Sequence, residues 1–213
     1  MNPNRPFTVA VLESTASNFP AVLRARDGTA IFPRIWAIGD LAILEKRLLG
    51  FLCSTQCPGE VILRTYDIAR ALRDAGVPVI SGFHSPMEKE CLDLLLHGTQ
   101  PVVICLARSI EQMRIPRMWR EELEEGRLLL LSPFEPDHRR ITAPLAEQRN
   151  WLVACLAHKV FIAYAAPRSR TEKFCRDLPR CGKDVVTFDC VANANLIELG
   201  ATCLSPSDRI PGF

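Results

Sequence analysis

The sequence lacks an apolar run long enough to cross a bilayer, so a membrane-spanning protein is not expected. It also lacks a Gly-x-Gly-x-x-Gly fingerprint and a Walker lysine, which argues against dinucleotide binding and against ATP hydrolysis. Neither sign of charge dominates, because 26 Lys and Arg residues are balanced by 24 Asp and Glu residues. A protein dedicated to duplex DNA is usually more basic than this.

Cysteine is plentiful, with nine residues, but no two of them form a Cys-x-x-Cys pair. The closest spacing, Cys53 to Cys57, does not favour a structural zinc site. Residues 1–7 lack the basic and then apolar pattern of a secretory signal. The odd number of cysteines in such a chain predicts reduced thiols and a cytoplasmic protein, with no metal and no cofactor expected.

The chain does contain a regular alternation of short apolar runs and amphipathic segments. Its 213 residues and 48% hydrophobic content suit one globular domain. We expect residues 1–35 to form an N-terminal extension and residues 36–213 to form the main domain. The predicted strands are Leu48–Cys53, Val77–Ser81, Pro101–Leu106, Arg127–Leu131, Lys159–Tyr164 and Asp184–Phe188. The predicted helices are Leu41–Lys46, Val61–Ala75, Met87–His97, Pro116–Glu125, Glu147–Leu156, Thr171–Cys181 and Asn193–Leu199.

Nearly apolar strands separated by helices indicate a mostly parallel sheet that is covered on both faces. The predicted fold class is therefore α/β, a doubly wound, Rossmann-like sheet in a single domain with a short N-terminal extension. Folds of this class bind ligands at the carboxyl ends of their strands. Functional residues are therefore expected in the loops that follow the strands.

The second predicted strand leads into the most informative loop of the chain. Gly82 permits a tight turn, Pro86 suits the first turn of a helix, and Glu88 lies where the helix dipole favours negative charge. His84 and Ser85 are thereby placed at the carboxyl edge of the sheet. In an enzyme that processes nucleotides, His84 or Glu88 would be the acid or base.

Two further loops contain residues suited to phosphate. The loop after the first strand either presents backbone N–H groups to a phosphate or is a plain turn with an N-capping Ser or Thr. The pair Arg149-Asn150 opens the helix before the fifth strand, and residues 168–171 follow that strand, so arginine forks meet hydroxyl donors at a helix start. No catalytic residue is assigned. The predicted ligand-binding set is Ser54, Thr55, Gly82, His84, Ser85, Glu88, Arg149, Asn150, Arg168, Ser169, Arg170 and Thr171.

Arg114, Arg117 and Arg120 recur at helical spacing around Trp119. This pattern is compatible with a nucleic-acid-binding stripe. Four glutamates follow at once within residues 121–125, however, which favours a solvated helix. These arginines are therefore left out of the predicted site.

Several short motifs, in order along the chain, resemble those of the DprA family, the DNA-processing proteins that load recombinase onto single-stranded DNA. The resemblance covers roughly residues 35–203. It implies an extended Rossmann-like domain, of a wider class shared with the Lonely Guy phosphoribohydrolases. It also implies a module that binds a nucleotide or single-stranded nucleic acid without catalysis; the alternative is a small enzyme that hydrolyses glycosidic or phosphoryl bonds of nucleotides. The motifs are Gly39-Asp40-Leu41, Ser81-Gly82, Arg149-Asn150, and Asn193-Ala194-Asn195-Leu196-Ile197 with Gly200-Ala201.

Two positions depart from the family pattern by lacking an arginine. The family's Ala-Arg-Gly-Ile-Asp is replaced by residues 84–88, His-Ser-Pro-Met-Glu, and its first-strand Gly-Ser-Arg by residues 53–55, Cys-Ser-Thr. The Lonely Guy signature Pro-Gly-Gly-x-Gly-Thr-x-x-x-Glu is also absent. Since backbone affinity is built from phosphate contacts, we expect single-stranded nucleic acid to bind weakly. The apolar residues Phe19, Ile31, Phe32 and Trp36 are compatible with a homodimer.

Overall fold

One continuous sheet forms the centre of the molecule. The computed structural model describes residues 7–17, 19–24, 30–111, 113–204, 210 and 212–213. Within these residues, nine strands pair into that sheet. They are β1 (Ala10–Glu13), β2 (Arg34–Gly39), β3 (Leu49–Cys53), β4 (Val79–Ser81), β5 (Val102–Cys105), β6 (Leu128–Ser132), β7 (Lys159–Tyr164), β8 (Val185–Phe188) and β9 (Thr202–Leu204).

Helices connect the parallel strands. Where the loops allow, hydroxyl residues cap them: Ser85, Thr142 and Ser169 each accept an N–H of the first helical turn. The described α-helices are α1 (Gly59–Asp74), α2 (Pro86–Leu96), α3 (Arg120–Glu124), α4 (Ala143–Leu156), α5 (Arg170–Asp177) and α6 (Ala194–Glu198). Short 3-10 helices occur at Ala21–Leu23, Leu41–Glu45, Arg117–Trp119, Leu178–Cys181 and Val191–Asn193.

The strand order is β1-β2-β6-β5-β4-β3-β7-β8-β9. The pairs from β6 through β9 are parallel, whereas β1 with β2 and β2 with β6 are antiparallel. The chain builds outward from β3 to β6, and α4 then returns it to β7 on the other side of β3. The loops after β3 and β7 therefore leave the sheet in opposite directions, which marks the topological switch point where such folds bind ligands.

Side chains alternate between two cores along each strand. Phe51 packs in the core beneath α1, α2 and α3, and its neighbour Leu52 packs in the core beneath α4, α5 and α6. The same alternation is seen at Phe161 and Ile162 of β7. Both faces of the sheet are thus covered, as in a doubly wound fold.

These observations confirm the predicted fold class and all six predicted strands, whose bounds shift by at most two residues. Three strands, β1, β2 and β9, were not predicted. Strands β1 and β9 are short and half exposed, and β2 directly follows Pro33. The segment predicted as one helix over Pro116–Glu125 is instead a 3-10 turn followed by the five residues of α3.

The predicted N-terminal extension contributes to the sheet. Its strand β1 pairs with β2, and β2 pairs with β6. Residues 1–6, 18 and 25–29 of the extension lie outside the described residues. The division of the chain at residue 35 stays a prediction. Among the described helices, none combines the length and the apolar character needed to cross a membrane.

Candidate functional site

Three of the loops singled out in the sequence follow neighbouring strands. Because β4, β3 and β7 are adjacent in the sheet, their loops lie side by side at its carboxyl edge. Adjacent strands are about 4.8 Å apart, so the three loops are within reach of one small ligand. Helix α4, which contains Arg149 and Asn150, packs on one face of the sheet against β3, β4 and β5.

Glu88 joins two of these loops. Its side chain is buried in the first turn of α2, where Oε1 accepts the N–H of Cys53 at 2.9 Å. Oε2 accepts the N–H groups of His84 at 2.7 Å and Ser85 at 3.2 Å. The last residue of β3 is thereby fastened to the loop after β4. With three donors on its oxygens, this carboxylate is a structural brace rather than an acid or base that faces a substrate.

Ser85 and His84 differ in what they leave available. The Ser85 hydroxyl accepts the N–H of Glu88 at 3.2 Å and completes a capping box at the start of α2. His84 is exposed beside it. Partial desolvation lowers the pKa of His84, the Arg149 and Lys89 cations lower it further, and Glu88 opposes them. The imidazole is therefore neutral at pH 7.

Arg149 is a buried cation at the ends of β4 and β5, with only 4% of its surface exposed. Its Nη1 donates to the carbonyl oxygen of Cys105 at 3.3 Å, and its Nε has no partner among the described residues. Burial lowers the pKa of this guanidinium, while the nearby Glu88 carboxylate raises it. No carboxylate of the described chain forms an ion pair with Arg149, so part of its donor capacity is left for a ligand.

Gly82 makes the space that Arg149 occupies. A Cβ atom at residue 82 would overlap the guanidinium, so only glycine permits this close approach. The motifs Ser81-Gly82 and Arg149-Asn150 lie far apart in sequence, and the fold brings them into contact. The neighbouring Asn150 is partly buried, and its Oδ1 has no partner among the described residues.

A cavity of about 480 Å³ opens beside Arg149 at the carboxyl ends of β4 and β5. Basic side chains border it, together with the single acid Asp93. Its walls are largely apolar. The basic residues are His84, Lys89, Arg108, Arg114 and Arg149, and the apolar side chains include Phe83, Leu92, Ile104, Met113, Met118, Trp119 and Ile141.

Sequence reasoning missed Arg108, Arg114 and Trp119 as members of this site. Residues 113–116 are not helical, so Arg114 lies in a loop and not on a solvated helix face. Its guanidinium forms no ion pair with another described residue. The available signal was Pro116, because a proline disfavours helical geometry in the residue before it and delays the helix.

The loop after β3 is tied to the loop after β7. Ser54 donates its N–H to the carbonyl oxygen of Tyr164 at 2.9 Å, and its hydroxyl accepts the N–H of Ala166 at 3.2 Å. Thr55, the next residue, is exposed. Ser54 thus fixes the position of the loop, and Thr55 faces the solvent at its tip.

The loop after β7 presents two arginines from a fixed backbone. Arg168 has a positive φ of 61°, and its N–H donates to Glu172 at 2.9 Å. The Ser169 hydroxyl caps α5 by accepting the N–H of Glu172 at 3.2 Å. A hydrogen bond from Asn195 is the main reason that the pKa of Glu172 is lowered. The side chains of Arg168 and Arg170 are exposed.

Of the predicted set, the cavity brings together Gly82, His84 and Arg149. The remaining nine residues lie around it, and their contact with a ligand stays a prediction. Within the described part of the chain, no three His, Cys, Asp or Glu side chains are arranged to hold a metal ion. Ser54, Ser85, Glu88 and Ser169 stabilise the loops, whereas Thr55, Asn150, Arg168, Arg170 and Thr171 do not line the cavity.

The sequence pattern of the family described as DNA recombination-mediator protein A matches residues 10–210, which is nearly the whole chain. The chain belongs to this family. That membership confirms the resemblance to the DprA family that the motifs indicated. It does not favour the alternative of an enzyme that processes nucleotides. A comparison with curated protein sequences finds no match.

Solved structures of the family share this fold. DNA processing protein A (DprA) from Streptococcus pneumoniae gives a TM-score of 0.74 at 16% identity, over 92% of this chain and 70% of that chain. DNA processing protein A from Helicobacter pylori, reported with a unique single-stranded DNA binding mode, gives 0.72 at 18% identity, over 98% and 94%. The molybdenum cofactor carrier protein from Chlamydomonas reinhardtii gives 0.51 at 12% identity, over 75% and 90%. These likenesses show a shared Rossmann-like fold.

Proposed function

We propose that this protein binds single-stranded nucleic acid, in particular single-stranded DNA, along the carboxyl edge of its sheet and performs no chemistry on it. Membership of the DNA recombination-mediator protein A family supports the proposal. So does the reported single-stranded DNA binding of the structurally similar Helicobacter pylori protein.

The observation that carries the proposal is the buried Arg149 beside a cavity bordered by basic residues. A buried guanidinium without an ion-paired carboxylate is costly unless a ligand supplies acceptors. Three cations near it, Lys89, Arg108 and Arg114, form no ion pair with another described residue. Such a concentration of unpaired positive charge at a sheet edge fits a polyanion.

A bound single strand of nucleic acid has a path from the cavity to the loop after β7. Three strand spacings separate β5 from β7, which is about 15 Å. Thr55 lies between, at the tip of the loop after β3, and Arg168 and Arg170 lie at the far end. Contacts between exposed cations and phosphates hold a nucleic-acid backbone without reading its sequence.

The experiment is a fluorescence-anisotropy titration of a labelled oligothymidine at several salt concentrations. We expect weak binding, because the net charge is only +2. Each neutralised phosphate of a single strand contributes about −0.7 to the slope of log K against log salt, so two to five contacts predict about −1.4 to −3.5. Absence of binding at low salt, or equal affinity for a duplex of the same length, would contradict the proposal.

The rival function, hydrolysis of nucleotides, makes a different prediction. His84 or Glu88 would have to act as acid or base. The oxygens of Glu88 accept three backbone N–H groups, and the imidazole of His84 has no hydrogen-bond partner among the described residues to orient it. We therefore expect no base release when the protein is incubated with nucleoside monophosphates. Turnover that disappears in Glu88→Gln, with the fold intact, would revive the enzyme.

We also propose that the protein forms a homodimer and is located in the cytoplasm. Of the four apolar residues behind the homodimer prediction, Phe19 and Trp36 are buried in the protein's own core. Ile31 is 49% exposed, and its N–H donates to the carbonyl oxygen of Leu23, the neighbour of Val22, which is 57% exposed. These two exposed side chains are the better candidate contact. Light scattering should show a dimer that Ile31→Asp dissociates; a concentration-independent monomer mass would end the suggestion.

A further inference from the structure

Two cysteines stand at the two ends of the loop that follows β3. Cys53 is the last residue of β3 and is buried, and Cys57 precedes the first turn of α1 and is partly exposed. Cys53 belongs to the core beneath α1, α2 and α3, and Cys57 packs against that core. Between them the chain turns at residues 55–56, which are exposed. One thiol of the pair is therefore shielded from solvent, and a small reagent can reach the other.

The two thiols are in contact across the loop. A hydrogen bond between their side chains is the largest cause of the raised pKa of Cys53 and of the lowered pKa of Cys57. Cys53 is thus the donor and Cys57 the acceptor, an arrangement that favours the thiolate at Cys57, although desolvation opposes it. A further contact of the Cys57 sulfur, to the carbonyl oxygen of Pro58, is long at 3.8 Å.

Cys57 differs from the fully buried thiols of the same sheet edge. It lies two residues before Gly59, the first residue of the 16-residue helix α1, where the helix dipole favours negative charge. Burial instead raises the pKa of Cys91 and of Cys105 to about 12. Thiols that react with oxidants are accessible, have a low pKa and lie beside a second thiol that resolves the first product. Cys57 has all three properties.

We propose that Cys53 and Cys57 form a reversible redox pair, in which a hydroperoxide oxidises Cys57 and Cys53 then closes a disulfide across the loop after β3. In the first step the Cys57 sulfur attacks hydrogen peroxide, the O–O bond breaks, and the leaving oxygen takes up a proton, which gives a sulfenic acid and water. In the second step the Cys53 sulfur attacks the sulfenic sulfur, the S–O bond breaks, and the hydroxide leaves with the Cys53 proton as water. The two sulfurs together lose two electrons, and the peroxide gains them.

The first step prepares the second. The hydrogen bond to Cys57 and the charge of Cys57 both hold the proton on Cys53, and oxidation of Cys57 removes that charge. Burial and the Glu88 carboxylate still oppose the loss of the Cys53 proton. The disulfide encloses Ser54 and Thr55 in a short covalent ring. No bound nucleic acid is needed for either step, so the redox pair stands or fails separately from the proposed function.

Peptide mapping of the full-length protein tests the proposal. Trypsin cleaves after Arg47 and Arg64, so both cysteines lie in one peptide, residues 48–64, with no third cysteine. The reduced protein is treated with hydrogen peroxide, free thiols are blocked with N-ethylmaleimide, and the unreduced digest is analysed by mass spectrometry. We expect this peptide to be two hydrogen atoms lighter and free of maleimide. Dithiothreitol, added before the block, should restore two maleimide labels.

Three variants assign the roles of the two thiols. Cys53→Ala should stop the reaction at the Cys57 sulfenic acid, which dimedone traps. Cys57→Ala should abolish the disulfide and leave Cys53 reduced; because position 57 is partly exposed, this variant keeps the proposal testable if Cys53→Ala does not fold. Cys203→Ala, at an exposed cysteine of β9, is the matched control and should form the disulfide like the wild type. Circular dichroism of each variant reports the fold.

Two results would overturn the redox pair. The first is a wild-type peptide 48–64 with two maleimide labels after peroxide treatment, because both thiols would then be inert. The second is a disulfide between this peptide and the one that contains Cys91, whose pKa is raised in part by Cys57 and which is therefore the nearest competitor. A dimedone adduct on Cys57 in Cys53→Ala, together with an intact disulfide in Cys203→Ala, would establish the order of the two steps.

Discussion

The cavity at β4 and β5 and the loop after β7 use arginine in opposite ways. In the cavity, the side chain of Arg149 is buried and fixed, and its Nε has no partner among the described residues. In the loop, Arg168 and Arg170 are exposed, and it is the backbone that is fixed, through the Ser169 cap and Glu172. The cavity presents a buried hydrogen-bond donor in a fixed position, and the loop after β7 presents solvent-exposed positive charge on a fixed backbone.

The difference matters because the two arrangements respond to different properties of a ligand. A hydrogen bond to a buried cation is directional and little screened by salt. An exposed cation acts through a Coulomb interaction that is weak and screened in water. The cavity should therefore decide which chemical group is recognised, and the loop should decide how binding depends on salt.

Glu88→Gln should have the largest effect, because Glu88 fastens the loop after β3 to the loop after β4 beside the cavity. Three backbone N–H groups point at its carboxylate, and an amide NH₂ in place of either oxygen would face at least one of them. We expect a loss of about 2–3 kcal/mol in the free energy of unfolding. The measurement is the urea midpoint.

The control for this change is Glu90→Gln, an exposed position on the same helix. It should change the free energy of unfolding by less than about 0.5 kcal/mol. Equal midpoints for Glu88→Gln and the wild type would mean that the brace contributes nothing to the fold.

The role of Glu88 shows where sequence reasoning ends. The pattern at Ser85-Pro86-Met87-Glu88 predicts a helix start with an acidic first turn, and the structure has both. The partner Cys53 lies 35 residues away on another strand, and no local pattern announces that contact. A predicted ligand-binding residue thus has its oxygens engaged by the protein's own backbone.

The fold could be predicted from the sequence better than the site, because local patterns reveal strands and helices but not contacts between distant residues. Buried strands such as β6, with all five residues buried, are recognisable from consecutive apolar residues alone. The contact between Gly82 and Arg149 requires the packing of α4 over β4, which the sequence does not specify locally. Arg114 was missed because a helical spacing of arginines obscured the turn made by Pro116.

Gly82→Ala should break the cavity and leave the loop after β7 intact. The new Cβ would occupy the position of the Arg149 guanidinium and displace it. Since the buried donor is lost, we expect affinity for oligothymidine to fall about tenfold, equivalent to about 1.4 kcal/mol. Gly59→Ala is the matched control, because a Cβ there meets nothing within 4 Å. The interpretation fails if both variants bind like the wild type while circular dichroism shows the native fold.

The double variant Arg168→Ala with Arg170→Ala should remove the contribution of the loop after β7 and leave the cavity intact. We expect a two- to fivefold loss of affinity at low salt, and a salt slope shallower by about 1.4, since each phosphate contributes about 0.7 for single strands. The contacts of Arg149 in the cavity should not change, because Arg168 and Arg170 do not line it. Lys46→Ala with Arg70→Ala removes the same number of positive charges away from the cavity, before the start of β3 and in the second half of α1, and is the control. An unchanged salt slope in the loop variant would remove both arginines from the site.

The smallest expected effect belongs to His84, which lies at the cavity beside the proposed path of the phosphates. Desolvation and the Arg149 and Lys89 cations lower its pKa, so the free protein carries a neutral imidazole at pH 7. Bound phosphates would favour the protonated form, so binding takes up a proton and affinity must rise as pH falls through the pKa of His84. We expect affinity for oligothymidine to be about two- to threefold higher at pH 5.5 than at pH 8, within the range of a partly exposed ion pair. His84→Gln should flatten this dependence, whereas His97→Gln, at the far end of α2, should keep it. A pH dependence that persists in His84→Gln would place the phosphates away from His84 and the cavity opening. Arg149 would then be the only residue of the cavity with a supported role in binding.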